Sequence, residues 1–353
     1  MARKILIFGA SYGALLGAKL ALAGHGVTLV CTARTAGLIN AEGIVVRLPV
    51  KGREALVEVR SQRMRGGVSA STPEGVDPAS FDLVVLAMQE PQYRLAGVRE
   101  LLQATAHARV PCLSLMNMPP PPYLARIPGI DASILADSYT DPAAWDAFEP
   151  GLVTLCSPDP QAFRPPEEAG NVLQVRLPSN FKAARFASDE HTAMLRELAD
   201  GIEASRYEVD GEAIDLPVKL KVHESLFVPL AKWAMLLAGN YRCLQGEGIR
   251  SISEAVHGDI EASQGVYDWV VDLCVEMGAG RDDMVPFDKY AQAARSLQSP
   301  SSAARALSAG VPHIERVDRL VQTLAARHGR RHDSVDQTVS RVDDWLVRNR
   351  LKG

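Results

Sequence analysis

Short apolar runs alternate with helical patterns through the first half of the chain. The first four runs are rich in Val, Ile and Leu with little alternation, which is typical of strands covered on both faces. Strand–helix–strand repetition of this kind predicts a parallel, doubly wound sheet. The predicted strands are Lys4–Phe8, Val27–Cys31, Leu83–Ala87, Cys112–Met116, Ser133–Leu135, Gly151–Cys156 and Asn171–Val175.

Strand signals end near Val209, and the rest of the pattern predicts long helices. The boundary falls in "YEVDGEAIDLP", which carries turn formers and a proline. The prediction is an α/β protein with an N-terminal Rossmann-like doubly wound sheet at 1–208 and a C-terminal all-helical domain at 209–353. The predicted helices are Gly13–Ala23, Gln92–Thr105, Pro217–Ala238, His257–Met277, Phe287–Leu297, Ile314–His328 and Ser334–Asn349.

Composition narrows the class of protein. The 353 residues carry a net charge of −4, which gives no indication of a nucleic-acid partner. No apolar run approaches the roughly 20 residues needed to cross a bilayer, so no membrane partner is expected. The five scattered cysteines lack metal-ligand spacing and are interpreted as reduced thiols in a cytoplasmic protein.

The stretch "RKILIFGASYGALLGAKLALAGHGVTLV" joins a predicted buried strand to a helix through glycines. A dinucleotide-binding turn needs small residues where the chain leaves the strand, approaches pyrophosphate and packs the helix. One register uses Gly9, Ser11 and Ala14, and another uses Gly13 and Gly17 as a packing face. A tight turn without a ligand is the alternative. The predicted cofactor contacts are Gly9, Ala10, Ser11, Tyr12 and Gly13.

The end of the second strand predicts which nucleotide is bound. An acid there would bind the ribose hydroxyls of NAD, but the sequence is "CTAR". Thr32 and Arg34 suit a 2′-phosphate instead, because guanidinium matches phosphate geometry. NADPH (NADP+) is therefore the predicted cofactor, with an ordinary surface arginine as the alternative.

These motifs resemble the ketopantoate reductase family, within the 6-phosphogluconate-dehydrogenase-like superfamily. "GALLGAKLALAGHGVTLV" is similar to the first helix and second strand of that family. "FDLVVLAMQEPQY" resembles a further landmark of the nucleotide domain, with Gln89 where the family has a lysine. "LSLMNM" is similar to a strand that ends in a functional asparagine, which the resemblance places at Asn117 beside the nicotinamide.

Two C-terminal segments extend the resemblance. "PVKLKVHESLFVPLAKW" looks like the catalytic helix of the family, which has a lysine and then asparagines four and eight positions on. Lys219 matches the lysine, and His223 and Phe227 take the asparagine positions. "SSAARALSAGVPHIERVD" is similar to a serine pair followed by a glutamate, which gives Ser302 and Glu315.

The resemblance implies hydride transfer to a carbonyl in the cleft between the domains. Positions 219, 223 and 227 would share one helix face, with Lys219 donating to the forming alkoxide. Glu315 would orient the lysine, and Asn117 would position the nicotinamide or the carbonyl. Lys219 as a solvated helix charge and Ser302 as a helix N-cap remain alternatives.

The substrate is predicted to be a small carbonyl compound. His223 and Phe227 replace amide donors, which favours a larger or more apolar 2-oxo acid, ketone or imine over ketopantoate. An opine-type dehydrogenase that reduces an imine and a catalytically silent NADP sensor are the competing hypotheses. The sequence leaves open whether two copies form a homodimer.

Overall fold

The computed structural model describes residues 1–352, which divide into two compact units. The first comprises Met1–Met88, Gln92–Arg126 and Ala143–Glu224. The second comprises Gln89–Pro91, Ile127–Pro142 and Ser225–Gly353. The main boundary thus follows Glu224, later than the predicted division at 208/209.

Both units are built from elements numbered here in chain order. The strands are β1 Lys4–Phe8, β2 Gly26–Val30, β3 Val45–Leu48, β4 Val57–Arg60, β5 Val68–Ser71, β6 Leu83–Leu86, β7 Cys112–Leu115, β8 Val153–Ser157, β9 Gln161–Phe163, β10 Val172–Leu177, β11 Phe181–Ala184, β12 Tyr207–Val209, β13 Glu212–Ile214 and β14 Leu220–His223. The helices are α1 Tyr12–Leu22, α2 Ala33–Glu42, α3 Ala96–His107, α4 Pro121–Leu124, α5 Asp189–Ala204, α6 Lys232–Met235, α7 Ile252–His257, α8 Ile260–Glu276, α9 Phe287–Ala294, α10 Ser302–Ser308, α11 Val317–Arg327 and α12 Asp333–Arg350.

The first unit is organised around an eight-stranded sheet of order β14-β11-β8-β7-β6-β1-β2-β5. The six strands from β8 to β5 in that order are parallel, whereas β11 runs antiparallel to β8. Residues Ile5 to Phe8 of β1 are completely buried. The prediction of strands covered on both faces is therefore confirmed for the centre of this sheet.

A smaller four-stranded sheet of order β4-β3-β10-β9 belongs to the same unit. Strand β10 pairs with β3 in parallel and with β9 antiparallel. Of its strands, only β10 overlaps a predicted strand, Asn171–Val175, and it extends two residues further. The other three are short; β4 and β9 pair with strands close by in the sequence, and the long-range pairing of β3 with β10 joins the two halves of the sheet.

The second unit is helical, as predicted for the C-terminal part of the chain. Its elements include α8, α11 and α12, which match the predicted helices to within a few residues. The predicted strand Ser133–Leu135 is wrong, because these residues lie in a 3-10 helix at Ala132–Ser138 of this unit. Among the described residues, no helix combines the length and apolar character that a membrane span requires.

The prediction of one helix over Pro217–Ala238 is also wrong. Strand β14 occupies Leu220–His223 and pairs in parallel with β11 at the edge of the large sheet. Helical structure resumes only at Val228, where a 3-10 turn leads into α6 and then into a π-helix at Leu236–Asn240.

Candidate functional site

The chain leaves β1 through a turn that requires glycine. Gly9 has a φ of +94°, and a Cβ placed there would lie 2.8 Å from the carbonyl oxygen of Ala87. Its N–H donates to the carbonyl of Val30 at the end of β2, at 2.8 Å. Any other residue would be strained in this backbone conformation and would collide with the neighbouring chain.

Helix α1 begins directly after this turn, and its glycines pack on the sheet. A Cβ at Gly13 would lie 2.6 Å from Ile7 Cγ2, and one at Gly17 would lie 3.2 Å from Val27 Cγ1. Both registers considered in the sequence therefore describe real features, since Gly9 makes the turn while Gly13 and Gly17 allow the close packing. Ser11, the N-cap residue, forms no side-chain capping bond, and the first turn carries no acidic residue.

The N-terminus of α1 therefore has the features of a phosphate cradle. The first N–H groups of a helix lack intrahelical acceptors and favour anions. Gly9 lets the chain turn into the helix close against Ala87 and Met88. Ala10 is buried, whereas Ser11 and Tyr12 are half-buried.

The end of β2 carries the residues predicted to select the nucleotide. The Thr32 side chain caps α2, accepting from the N–H of Thr35 and donating to its hydroxyl at 3.1 Å. Arg34 is exposed in the first turn of α2. The hydroxyl of Thr32 thus has a structural partner, and Arg34 is free of ion pairs with the rest of the described chain.

A second cation lies in this region, at the turn after β1, and was missed by the sequence analysis. Arg164 directly follows β9 of the small sheet, and its Nη2 donates to the carbonyl of Ala10 at 2.6 Å. The two residues are 154 positions apart, so no local sequence pattern signals their contact. Burial raises the pKa of the nearby Cys31 thiol, and the positive charge of Arg164 partly opposes that rise.

Asn117 and Gln89 follow the carboxyl ends of two neighbouring parallel strands. Asn117 lies two residues beyond β7 and is half-buried. Gln89 lies three residues beyond β6, at the start of the short segment that belongs to the second unit. In open α/β sheets, the carboxyl ends of the strands form the edge at which ligands bind.

The structure contradicts the predicted setting of Lys219. This residue precedes edge strand β14, so Lys219, His223 and Phe227 do not share a helix face. Lys219 is 7% exposed, and its ammonium group lies 2.5 Å from the Asp215 carboxylate. Phe227 belongs to the second unit and is buried there.

A second buried lysine lies beside this pair. Lys19 of α1 is 3% exposed and donates to the carbonyls of Leu216 and Pro217, each at 3.1 Å. Burial, reinforced by the positive charge of Lys219, lowers the pKa of Lys19 to about 7. These contacts are typical of a structural anchor for the chain that enters β14.

The lysine spacing of the resemblance recurs on a real helix further along the chain. Lys232 begins α6, and positions four and eight residues later are Leu236 and Asn240 in the π-helix that continues it. Lys232 and Asn240 are half-buried, and Leu236 is buried. The signal that could have found this segment is Asn240, which stands eight residues after Lys232, whereas Phe227 stands eight residues after Lys219.

This helix lies next to the two C-terminal predicted residues. The Tyr241 hydroxyl donates to the carbonyl of Glu315 at 2.6 Å. Ser301 donates from Oγ to the carbonyl of Asn240 at 2.7 Å, and it also caps α10. The N-cap is therefore Ser301, whereas Ser302 is exposed in the first turn.

The second unit thus brings together the Lys232–Asn240 helix, Ser301 and Glu315. Glu315 is 9% exposed, so its carboxyl group is mostly withdrawn from water. Lysine, amide, hydroxyl and carboxyl groups together can bind an oxyanion and deliver a proton. Among the described residues, no group of His, Cys, Asp and Glu side chains is arranged to hold a metal ion.

Comparison with known proteins relates this architecture to solved structures. No family model matches the sequence, and no curated protein matches it. A PanE/ApbA family ketopantoate reductase from Ralstonia eutropha JMP134 is 18% identical, with 98% of this chain and 99% of that chain covered at a TM-score of 0.60. A 2-dehydropantoate 2-reductase from Geobacter metallireducens GS-15 is 14% identical, with 97% and 99% covered at a TM-score of 0.67.

An enzyme with a different substrate shares the same architecture. A D-mandelate dehydrogenase in complex with NADH and anilino(oxo)acetate is 14% identical, with 98% of this chain and 99% of that chain covered at a TM-score of 0.64. The chain has the two-domain fold of the ketopantoate reductases, which confirms the resemblance at the level of the fold.

Proposed function

We propose that the protein is an NADPH-dependent oxidoreductase that reduces a small carbonyl compound, a 2-oxo acid or a related ketone, by hydride transfer. The observation that carries the proposal is the glycine turn at Gly9, which joins a central parallel strand to α1 within a ketopantoate-reductase-like fold. The nucleotide would be held by residues of the first unit.

The turn fits a dinucleotide. The chain turns at Gly9 so close to Ala87 that no side chain fits, and the N-terminus of α1 has no side-chain cap. Backbone N–H groups there would hold the pyrophosphate, while Thr32 and Arg34 would lie at the adenosine end. Gln89 and Asn117 would contact the nicotinamide end. The bound nucleotide supplies the hydride.

In this proposal, Lys232 takes the role that the sequence analysis gave to Lys219. Negative charge grows on the carbonyl oxygen as hydride reaches carbon, so a nearby cation or acid lowers the barrier. The helical setting of Lys232 and its proximity in the chain to Asn240 support the assignment. Glu315 would orient the donor, and Lys219 is already engaged with Asp215.

The substrate is proposed to be more apolar than ketopantoate. Leu236 stands four residues after Lys232, where the family pattern has an amide, and it is 5% exposed. A site without that amide loses a hydrogen-bond donor for a polar substrate and gains apolar surface. Asn240 and Ser301 remain as polar groups on this side.

The test is NADPH oxidation with a panel of 2-oxo acids and ketones, each with and without an amino acid. Turnover without amine supports the proposal, whereas turnover only with amine indicates an opine-type dehydrogenase. Nucleotide binding without any turnover indicates a sensor. Comparison of Lys232→Met with Lys219→Met, each at matched nucleotide saturation, tests the assignment of the proton donor.

A further inference from the structure

The small sheet contributes a cation to the glycine turn of the large sheet. Arg164 follows β9, and its guanidinium donates a single hydrogen bond, to the carbonyl of Ala10 at 2.6 Å. Within residues 1–352, Arg164 forms no ion pair with a carboxylate. A guanidinium has five N–H donors in a planar fork, so most of its donors are available to a ligand.

The turn that Arg164 contacts is hydrogen-bonded to the end of β2, because Gly9, next to Ala10, donates its N–H to the carbonyl of Val30 at 2.8 Å. Desolvation lowers the pKa of Arg164, and Cys31 is the group whose charge opposes the effect. Cys31 is the residue that follows β2. The guanidinium is therefore in contact with the turn after β1 and within electrostatic range of the end of β2.

This is the region where a Rossmann-like fold distinguishes NADP from NAD. The residue at the end of β2 reads the 2′ position of the adenosine ribose. Here "CTAR" has no acid, Thr32 is used as a helix cap and Arg34 is exposed without a fixed partner. Arg164, by contrast, is held by the Ala10 carbonyl before any ligand binds.

We propose that Arg164 binds the 2′-phosphate of the nucleotide and gives the protein its preference for NADPH over NADH. The inference rests on the proposed function and extends it to a residue of the small sheet. A guanidinium forms paired hydrogen bonds to phosphate, and holding it in place reduces the entropy lost on binding.

The experiment measures binding rather than turnover. Four ligands are titrated: NADPH, NADH, adenosine 2′,5′-bisphosphate and AMP. Each is titrated into the wild type, Arg164→Gln and Arg164→Lys. The expected result for Arg164→Gln is NADPH binding weakened by about 10- to 100-fold with NADH binding within about twofold. Arg164→Lys keeps the positive charge but lacks the planar guanidinium. Its NADPH affinity is expected to lie between those of the wild type and Arg164→Gln.

Arg176→Gln is the matched control. Arg176 is an exposed arginine of the same small sheet that lies over the ring of Phe163 at 4.2 Å. Its substitution removes the same charge and is expected to leave both affinities unchanged. Urea midpoints for all variants verify that the compared proteins are folded.

Four results would overturn the inference. Equal weakening of NADPH and NADH by Arg164→Gln would assign the residue to the pyrophosphate. Unchanged NADPH affinity, or complete loss of the preference in Arg34→Gln alone, would exclude Arg164 as the reader of the 2′-phosphate. A wild type that binds neither nucleotide would refute the proposed function as well, so the two failures are distinguishable.

Discussion

The ammonium group of Lys219 lies 2.5 Å from the carboxylate of Asp215, four positions earlier in the chain. Four-residue spacing is typical of neighbours on a helix, yet these residues lie in the connection between β13 and β14. Val218 in this connection has a φ of +67°, which turns the chain and brings the two side chains together. The pair is therefore part of the framework of the first unit.

This geometry predicts different effects for two lysine substitutions. Lys219→Met should lower the free energy of unfolding by up to about 1 kcal/mol, because Asp215 loses one of its two basic partners and keeps Arg206. Turnover by the remaining folded protein should stay within about twofold. Lys232→Met should lower kcat by about 10²- to 10⁴-fold if Lys232 supplies the proton.

Urea unfolding and steady-state kinetics on the same preparations check both expectations. Lys221→Met serves as a control, because its partner Glu203 is exposed and the pair lies at the surface. A large loss of kcat in Lys219→Met with unchanged stability would restore Lys219 as the donor.

Gly9→Ala should impair both folding and nucleotide binding. The positive φ costs an L-residue about 1–2 kcal/mol, and the added Cβ would meet the Ala87 carbonyl at 2.8 Å. NADPH affinity and the thermal midpoint are therefore both expected to fall. Isothermal titration and thermal unfolding measure the two effects.

The matched control is Gly37→Ala in the exposed part of α2. No atom lies within 4 Å of a Cβ added at Gly37. Alanine there should raise the stability by up to about 1 kcal/mol through its helix propensity, with NADPH affinity unchanged. Tight NADPH binding by Gly9→Ala would argue against a cofactor at this turn.

Lys19 should make the stability of the protein depend on pH in the neutral to alkaline range. Its pKa is about 7 in the folded state against 10.5 for the ordinary side chain. Between these values the unfolded chain binds a proton that the folded protein lacks, so the free energy of unfolding rises with pH. Below about pH 7, the cost of burying the charge is fully present.

Urea unfolding on both sides of pH 7 measures this dependence. The slope that Lys19 adds is at most about 1.4 kcal/mol per pH unit. Lys19→Met should remove it, while Lys221→Met should retain it. An identical slope in Lys19→Met and the wild type would show that Lys19 keeps its proton.

Tyr241→Phe should affect activity as well as stability. The hydroxyl donates to the Glu315 carbonyl and accepts from the N–H of Val317 at 3.1 Å, so its removal leaves two buried backbone groups without a partner. A loss of about 1–3 kcal/mol for each such group is expected. Because Glu315 is then less firmly placed, kcat should also fall.

Tyr267→Phe is the control that separates the effect of Tyr241→Phe on activity from its effect on stability. Tyr267 is equally buried in the second unit, and its hydroxyl donates to the Val285 carbonyl at 2.7 Å. Its loss should lower the thermal midpoint and leave kcat unchanged. Equal kcat values in both variants would show that the Tyr241 bond does not serve the site.

The pattern of apolar and polar residues was sufficient to predict the elements whose structure depends on burial alone. Strand β1 is apolar at every position from Ile5 to Phe8 because both of its faces are covered, and a continuous apolar run is the direct consequence. Helices α8 and α12 are long enough for their periodicity to be unambiguous. Gly9 could be assigned to a turn because it follows such a strand directly.

Contacts in the tertiary structure decided the features that the sequence pattern did not predict. In "VKLKVH", helical spacing and strand alternation are both present, and only pairing with β11, 39 residues away, makes it a strand. The small sheet is completed by the pairing of β3 with β10, which lies far along the chain, and it carries Arg164 to a turn 154 residues earlier. The sequence by itself determined the sheet core, the glycine turn and the helical second unit. Contacts between distant segments decided that Lys219 is buried in an ion pair and that Arg164 reaches the turn after β1. The physical reason is that spacing in the sequence determines which side chains are neighbours only once the backbone conformation is known.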